Sequence, residues 1–286
     1  MLKKIFSLVT LLCLGILVTS CQANASTPAA PEASNPSDSA PAGQFGEPID
    51  CGTVFSSGLD LMQARPPVPG DTIVTLHTNY GDVVIRFFPE EAPMAYENFV
   101  THARNGFYDG VIFHRVLEGF MIQGGDPEGT GRGGESIWGH GFGPEFSMHL
   151  RHFRGALAMA HAGSGTEGSQ FYIVHSPDAL RFADASIMAA FDSAIEEPDE
   201  FLGEDIDGNR VYVRDLLSAD MVESYLRYGG TPHLDLIFNQ GGHTVFGQVI
   251  RGMDVVDTIA AVEVDSPQSG RPVSDVVIQR VSVTEY

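Results

Sequence analysis

Lysine is nearly absent from this sequence. Of the 286 residues, Lys3 and Lys4 are the two lysines, and 14 arginines remain against 37 acidic residues. Beyond those lysines the chain therefore carries a formal charge of −23. A chain this acidic lacks the basic surface that attracts phosphates, which argues against nucleic-acid binding and against charge-driven adsorption to anionic lipid. The simplest role of the charge is solubility in a salty or wall-rich extracytoplasmic space.

Long apolar runs are scarce as well, and the longest lies at the N-terminus. The two lysines precede an apolar stretch over residues 6–18, which is too short and wrongly flanked for a membrane span. We therefore predict a signal peptide over residues 1–20. The run ends in Val-Thr-Ser-Cys at Cys21, which is similar to the lipobox that is cleaved before a lipid-modified cysteine. This pattern predicts an extracytoplasmic, membrane-anchored lipoprotein; a plain secretory signal is the alternative.

The segment after Cys21 has almost no large apolar residue. Residues 22–44 are mostly Ala, Ser, Pro, Asn and Thr, a composition that cannot bury enough surface to order itself. We predict a flexible tether and lead-in over residues 21–70, partly ordered towards its end, followed by one folded domain over residues 71–286.

Cysteine is too rare for a disulfide framework. Cys13 leaves with the predicted signal peptide and Cys21 is the predicted lipidation site, so Cys51 remains as a single thiol. His149 and His152 have the spacing of metal ligands, but no acidic or cysteine partner set accompanies them. We therefore predict neither a metal site nor any other cofactor.

Alternating apolar residues predict a mainly β domain with few helices. The predicted strands are 72–78, 83–88, 155–159, 171–174, 244–249 and 276–283, with two more near residues 111–124, and the predicted helices are 92–105 and 254–261. In the first helix Ala95, Phe99 and Ala103 recur at helical spacing, and Gly106 ends it. Many strands with two helices are typical of a closed antiparallel barrel with helices at its ends.

An acidic segment interrupts the strand pattern over residues 176–229. Between residues 176 and 230 there are 13 acidic residues and four arginines. Helical patterns occur at 186–195 and 213–228, the second with an apolar stripe made of Leu216, Leu217, Met221 and Tyr225. We predict an acidic, partly helical insertion that packs on the barrel through this stripe.

Five short motifs concentrate the chemistry. They are F-H-R at 113–115, G-F-M-I-Q-G-G-D at 119–126, A-M-A-H-A-G at 158–163, G-S-Q-F-Y-I at 168–173 and H-T-V-F-G at 243–247. Strand alternation predicts that Arg115 shares a face with Val111 and Phe113. An arginine beside aromatic residues is typical of a binding or ion-pair site, because a lone charge is costly to bury. The alternative is an edge-strand arginine that extends to water.

In this order the motifs resemble those of the cyclophilin family of peptidyl-prolyl cis/trans isomerases, over residues 71–176 and 229–284. Within the five motif patterns, Ala158 is the one departure, at a position where serine is common. The resemblance implies a closed, eight-stranded antiparallel β-barrel capped by two helices, here with the acidic insertion. It also implies an enzyme that rotates X-Pro bonds, without a cofactor, in segments of exported or surface proteins. We expect a monomer; the alternative is a non-catalytic proline-peptide binding or holdase module that uses the same groove.

The resemblance also assigns site residues. They are Arg115, Gln123 and Gln170 for catalysis, Phe120, Met121, Tyr172 and Leu234 for the proline pocket, Ala160 and His161 for the peptide groove, and His233 and His243 for the rim. Three residues depart from the family pattern: His161 replaces asparagine, Tyr172 a frequent phenylalanine, and His233 the tryptophan of several relatives. In addition, Leu236–Gly242 separates Leu234 from His243, so a rebuilt rim is expected.

Overall fold

The computed structural model describes residues 61–163, 165–177, 199, 201–204, 208–216, 219–235 and 243–286. The predicted signal peptide, the lipidation site Cys21 and the tether up to residue 60 lie outside these ranges. So do the predicted helix at 186–195 and the small insertion at 236–242. Within the described ranges, no helix has both the length and the apolar character needed to cross a membrane.

The described residues form ten strands and four α-helices. In chain order these are β1 (Thr72–Thr78), β2 (Gly81–Phe87), α1 (Pro93–Arg104), β3 (Arg115–Leu117), β4 (Met121–Gly124), β5 (Ala156–Met159), β6 (Phe171–Val174), β7 (Phe201–Glu204), β8 (Arg210–Tyr212), α2 (Val213–Leu216), α3 (Ala219–Tyr228), β9 (Val245–Arg251), α4 (Met253–Ala260) and β10 (Ile278–Glu285). Short 3₁₀ turns cover Met62–Ala64 and Pro232–Leu234. The predicted bounds of β1 and β6 are confirmed.

Eight of the strands form one antiparallel sheet in the order β10-β1-β2-β9-β5-β6-β4-β3. The mainly β prediction is therefore confirmed, but the prediction of a closed barrel is wrong, because the edge strands β10 and β3 share no ladder. A single bridge between Ile112 and Val277 spans the gap, helped by a hydrogen bond of 2.9 Å from Phe113 N to Val276 O. The sheet is an open, curled half-barrel, because no ladder joins β3 to β10.

The backbone before β3 also departs from its predicted regularity. Phe113 and Val116 both belong to the main core, although they are three residues apart and would face opposite sides of a regular strand. Arg115 lies between them and is half-buried. The predicted shared face of Val111, Phe113 and Arg115 is therefore wrong, since regular strand geometry begins only at Arg115.

Helix α1 packs against the sheet through Phe99. Phe99 is fully buried and its ring lies 5.4 Å from Phe87, 5.2 Å from Phe171 and 5.6 Å from Phe246, which belong to three different strands. Ala95 and Ala103 are buried on the same helix face, as predicted. The described residues have three helices of eight or more residues: α1 and α4 correspond to the two predicted barrel helices, and α3 lies within the helical pattern predicted at 213–228 of the insertion.

The insertion packs on the domain through helix α3, as its apolar stripe predicted. Tyr225 and Tyr228 are buried against Phe153, together with Leu61 from the lead-in. Leu217 lies outside the described residues. The insertion also contains a two-stranded sheet of β7 and β8 that the sequence did not predict, because these strands are too short to show an alternating pattern.

A half-buried carboxyl group ties the start of α1 to the sheet. The Glu145 carboxylate accepts hydrogen bonds from the backbone N–H groups of Met94 (3.0 Å) and Ala95 (2.9 Å), at the helix N-terminus. Glu145 N donates to the Thr244 hydroxyl at 2.8 Å, and that hydroxyl lies 2.8 Å from Glu167 Oε1. Glu167 is fully buried, and burial raises the pKa of its carboxyl group to about 8.

This raised pKa predicts a pH-dependent stability. The folded chain holds the Glu167 proton up to about pH 8, whereas the unfolded chain releases it near the ordinary glutamate pKa of 4.5. The contribution of Glu167 to the free energy of unfolding is therefore fully present below about pH 4.5 and is lost as the pH rises through about 8. We expect Glu167→Gln, which cannot ionise, to lose less stability than the parent protein between about pH 5 and pH 8.

Urea unfolding at about pH 5 and pH 8 measures this difference. Glu97→Gln serves as the control, because Glu97 is exposed on α1. Equal pH dependence in the parent protein and in Glu167→Gln would contradict the assignment.

Candidate active site

Three polar side chains, from β3, from β4 and from the residue just before β6, form a hydrogen-bonded chain. Strand register places Arg115 opposite Gln123, and Arg115 Nη1 donates to Gln123 Oε1 at 3.4 Å. Gln123 Nε2 donates to Gln170 Oε1 at 3.0 Å, and Gln170 Nε2 donates to the Gly133 carbonyl at 2.8 Å. The structure therefore brings together all three residues of the predicted catalytic set.

The guanidinium of Arg115 keeps its charge available. Partial burial lowers the pKa of Arg115, but an arginine remains protonated at any physiological pH. Within the described residues its hydrogen-bond partner is the neutral amide of Gln123, and no carboxylate there forms an ion pair with it. A fixed positive charge at the edge of an apolar site can stabilise an electron pair or a carbonyl oxygen.

Asp126 organises the glycine-rich loop that supplies the Gly133 carbonyl. Its buried carboxylate accepts hydrogen bonds from the backbone N–H groups of Glu128 (2.9 Å), Thr130 (2.9 Å) and Gly131 (2.7 Å), and also from those of Arg132 and Gly133. Burial alone would raise the pKa of Asp126, but these donors lower it to about 2. This role was not predicted from the sequence, although Asp126 closes the second motif.

An apolar cluster lies beside the polar chain. Met121 and Tyr172 are buried in it, and Phe120, Ala160 and Leu234 pack against it from its half-buried edge. The cluster thus unites the four predicted pocket residues with one predicted groove residue. Met121 is only 2% exposed, so it belongs to the wall of the cluster.

Backbone contacts hold Phe120 at the edge of this cluster. The carbonyl of Phe120 accepts hydrogen bonds from the N–H groups of His175 (2.9 Å) and Ser176 (3.3 Å). Gly119 N donates to His175 Nδ1 at 2.8 Å, which fixes the turn before Phe120. The ring of Phe120 stacks on His233 with 5.6 Å between centroids.

The other predicted rim and groove histidines stack on each other. The rings of His161 and His243 lie 4.0 Å apart, and His243 lies 5.7 Å from the Tyr172 ring. His243 Nδ1 lies 3.2 Å from the Met159 carbonyl, which can only accept, so Nδ1 is the donor. Burial, with His152 and His161 nearby, lowers the pKa of His243 to about 3, and the ring is neutral at physiological pH.

The hydroxyl of Tyr172 has a buried partner that the sequence did not reveal. It lies 2.9 Å from His152 Nε2, while His152 Nδ1 lies 2.7 Å from Asp235 Oδ1. The sequence analysis considered His152 only as a metal ligand. Asp235 is 83 residues further along the chain, so no local pattern could have paired the two.

Solved structures with related folds are cyclophilins. A Cryptosporidium parvum cyclophilin type peptidyl-prolyl cis-trans isomerase superposes with a TM-score of 0.53 at 28% sequence identity, covering 76% of this chain and 99% of that chain. A second structure of that protein, obtained in the presence of the dipeptide Ala-Pro, gives a TM-score of 0.52 at 28% identity over 75% of this chain and 99% of that chain.

Curated proteins from staphylococci are similar at the sequence level. A protein of Staphylococcus epidermidis that is named as a candidate peptidyl-prolyl cis-trans isomerase is 43% identical over 212 residues, which cover 74% of this chain and 91% of the relative. A Staphylococcus aureus protein of the same name is 43% identical over 216 residues, 76% of this chain and 93% of the relative.

The family model described as cyclophilin type peptidyl-prolyl cis-trans isomerase/CLD matches residues 73–283. This range contains the eight-stranded sheet from β1 into β10, the polar chain and the apolar cluster. The chain therefore belongs to the cyclophilin-type peptidyl-prolyl cis-trans isomerases.

Proposed function

We propose that this isomerase rotates X-Pro bonds in exported or surface proteins, with Arg115 stabilising the twisted amide while an apolar pocket holds the proline ring. The observation that carries the proposal is the hydrogen-bonded chain of Arg115, Gln123 and Gln170 beside the apolar cluster. A charge and an apolar surface lie side by side, which is what a prolyl peptide in its transition state requires.

The chemistry needs no bond cleavage. Resonance gives the amide a rotation barrier of roughly 18–20 kcal/mol, and uncatalysed X-Pro exchange takes on the order of 10–100 s. In the twisted state the proline nitrogen becomes pyramidal and gains a lone pair. The guanidinium of Arg115 donates to that lone pair or holds the adjacent carbonyl, and it does so without a proton-transfer step.

The apolar cluster supplies the proline pocket. Met121 and Tyr172 form its buried wall, and Phe120 and Leu234 form its half-buried edge. These side chains exclude water from the ring and leave the peptide bond facing Arg115. The related Cryptosporidium structure in the presence of Ala-Pro supports a prolyl peptide as the ligand of such a site.

The remaining predicted residues border this pocket. Ala160 packs on the cluster and His161 stacks on His243, which places these residues along one side for contact with the peptide. His233 stacks on Phe120 and forms the rim on the other side. Gln123 and Gln170 orient Arg115 and offer amide groups to the substrate backbone.

Replacement of Arg115 tests the catalytic proposal. We expect Arg115→Ala to lower kcat/KM on a Phe-Pro peptide by about 10²- to 10³-fold, the size seen when one preorganised donor is removed. Thermal stability should change little, because Arg115 is half-buried and acts on the transition state. NMR exchange spectroscopy or a protease-coupled assay measures the rate.

Arg104→Ala is the matched control, because Arg104 is exposed at the end of α1. Wild-type turnover in Arg115→Ala would show that Arg115 is structural. If the parent protein binds prolyl peptides but does not isomerise them, the binding or holdase function replaces the enzymatic one.

We also propose that the enzyme is a monomeric lipoprotein held outside the cytoplasmic membrane. The support is the sequence pattern of a basic start, a short apolar run and a lipobox-like ending at Cys21. A polar tether after that cysteine would let the isomerase domain reach chains that emerge from export.

Replacement of Cys21 tests the anchor. We expect Cys21→Ser to abolish metabolic labelling with a radioactive fatty acid, and to release the protein to the soluble fraction or leave an uncleaved precursor. The control is Cys51→Ser, which should keep both label and membrane location. Unchanged labelling and fractionation of Cys21→Ser would contradict the proposal.

A further inference from the structure

A buried hydrogen-bonded path connects the proposed proline pocket to the insertion. It runs from the Tyr172 hydroxyl to His152 Nε2 (2.9 Å), from His152 Nδ1 to Asp235 Oδ1 (2.7 Å), and from Asp235 Oδ2 to the hydroxyl of Tyr225. All four side chains are buried. Tyr172 belongs to β6 in the sheet, whereas Tyr225 belongs to α3 in the insertion.

The donors and acceptors along this path are fixed. A carboxylate only accepts, so Tyr225 O–H and His152 Nδ1–H both donate to Asp235, and the backbone N–H of His152 adds a third bond at 3.2 Å. Burial and the nearby Asp235 charge raise the pKa values of Tyr172 and Tyr225, so both hydroxyls stay protonated. With Nδ1 donating to Asp235, Nε2 is the His152 ring atom that faces the Tyr172 hydroxyl, at 2.9 Å.

The position of Tyr172 at one end of the path is coupled to that of Tyr225 at the other through the hydrogen bonds of Asp235. A buried carboxylate is stable only while donors satisfy it, and loss of one donor leaves its charge partly unpaired. The Tyr225 ring also packs on Phe153 at 4.7 Å, so the hydroxyl is held in place by the helix and not by Asp235 alone. Helix α3 is thus a fixed point from which Asp235 and His152 take their positions.

The same path holds the turn that forms the pocket rim. Thr231 N donates to the carbonyl of His152 at 2.8 Å, and Asp235 N donates to Pro232 O at 3.1 Å. The turn between these two contacts, Pro232–Leu234, carries His233 onto Phe120 and Leu234 onto the apolar cluster. The Asp235 carboxylate therefore fixes the end of the segment that shapes the pocket edge.

We propose that Tyr225 is a positioning residue of the isomerase site, through which the acidic insertion sets the affinity for prolyl peptides. Tyr225 touches no substrate; it acts through Asp235 and His152 on Tyr172 and on the turn that carries Leu234. This inference rests on the proposed proline pocket. Under this proposal the insertion takes part in peptide binding through Tyr225, independently of its acidic residues.

Tyr225→Phe tests the proposal, because it removes one hydroxyl and keeps the ring that packs on Phe153. We expect the Kd for a Phe-Pro peptide, measured by NMR titration, to rise about threefold to tenfold, within the range of coupling between contacting residues. The interconversion rate on the enzyme should stay within about twofold, because the donors around Arg115 are untouched. An unchanged Kd would overturn the proposal.

Two further variants separate positioning from general destabilisation. Tyr228→Phe removes a hydroxyl from the same helix and the same apolar cluster, and should leave the Kd within about twofold. In a Tyr172→Phe background, where the path is already cut, the effect of Tyr225→Phe on the Kd should shrink. A full effect in that background would contradict the route through Tyr172, and an equal effect of Tyr228→Phe would make Tyr225 merely structural.

A measurement on the parent protein covers the case in which Tyr225→Phe does not fold. The His152 Nδ1–H proton should give a strongly downfield NMR signal that shifts when the Phe-Pro peptide saturates the site. A signal that does not respond to the peptide would also overturn the proposal. Should the parent protein isomerise while Tyr225→Phe binds normally, this inference alone fails; a parent protein that does not isomerise defeats the proposed function instead.

Discussion

The site depends on one positive charge, Arg115, which is half-buried beside an apolar cluster and forms no ion pair with the carboxylates that the structure describes. A carboxylate partner would hold Arg115 firmly but would cancel much of its field, whereas the amide of Gln123 holds it without adding charge. Amides need partners in turn, and Gln170 and the Gly133 carbonyl provide them. That carbonyl keeps its place because Asp126 gathers the backbone N–H groups of its loop.

A second constraint arises from the hydroxyl of Tyr172. In the proposed proline pocket, a buried hydroxyl without a partner would cost about 1–3 kcal/mol. His152 supplies the partner, and Asp235 orients the ring of His152. The single hydroxyl of Tyr172 therefore requires two further buried polar residues. The turn before Asp235 carries Leu234, so the edge of the apolar cluster at Leu234 and the insertion are connected through Asp235.

The sequence predicts what local pattern controls. The spacing of Ala95, Phe99 and Ala103 defines α1, and the motifs bring Arg115, Gln123 and Gln170 together as expected. The sequence could not show that the barrel is open. Closure requires pairing between β3 and β10, and the residue pattern of either strand alone does not reveal whether they pair. The bond between His152 and Asp235 crosses 83 residues and follows only from the folded chain. Its one signal in the sequence was the tyrosine hydroxyl in need of a partner.

The central claim is that the charge of Arg115, and not its size or its hydrogen bonds to the protein, lowers the barrier to rotation. Semisynthesis with citrulline in place of Arg115 tests this directly, because citrulline keeps the shape and removes the charge. NMR exchange measurements on a saturating Phe-Pro peptide give the interconversion rate on the enzyme. The account predicts near-normal peptide affinity with an interconversion rate lowered about 10²-fold or more. A citrulline enzyme that isomerises as fast as the arginine enzyme would contradict it.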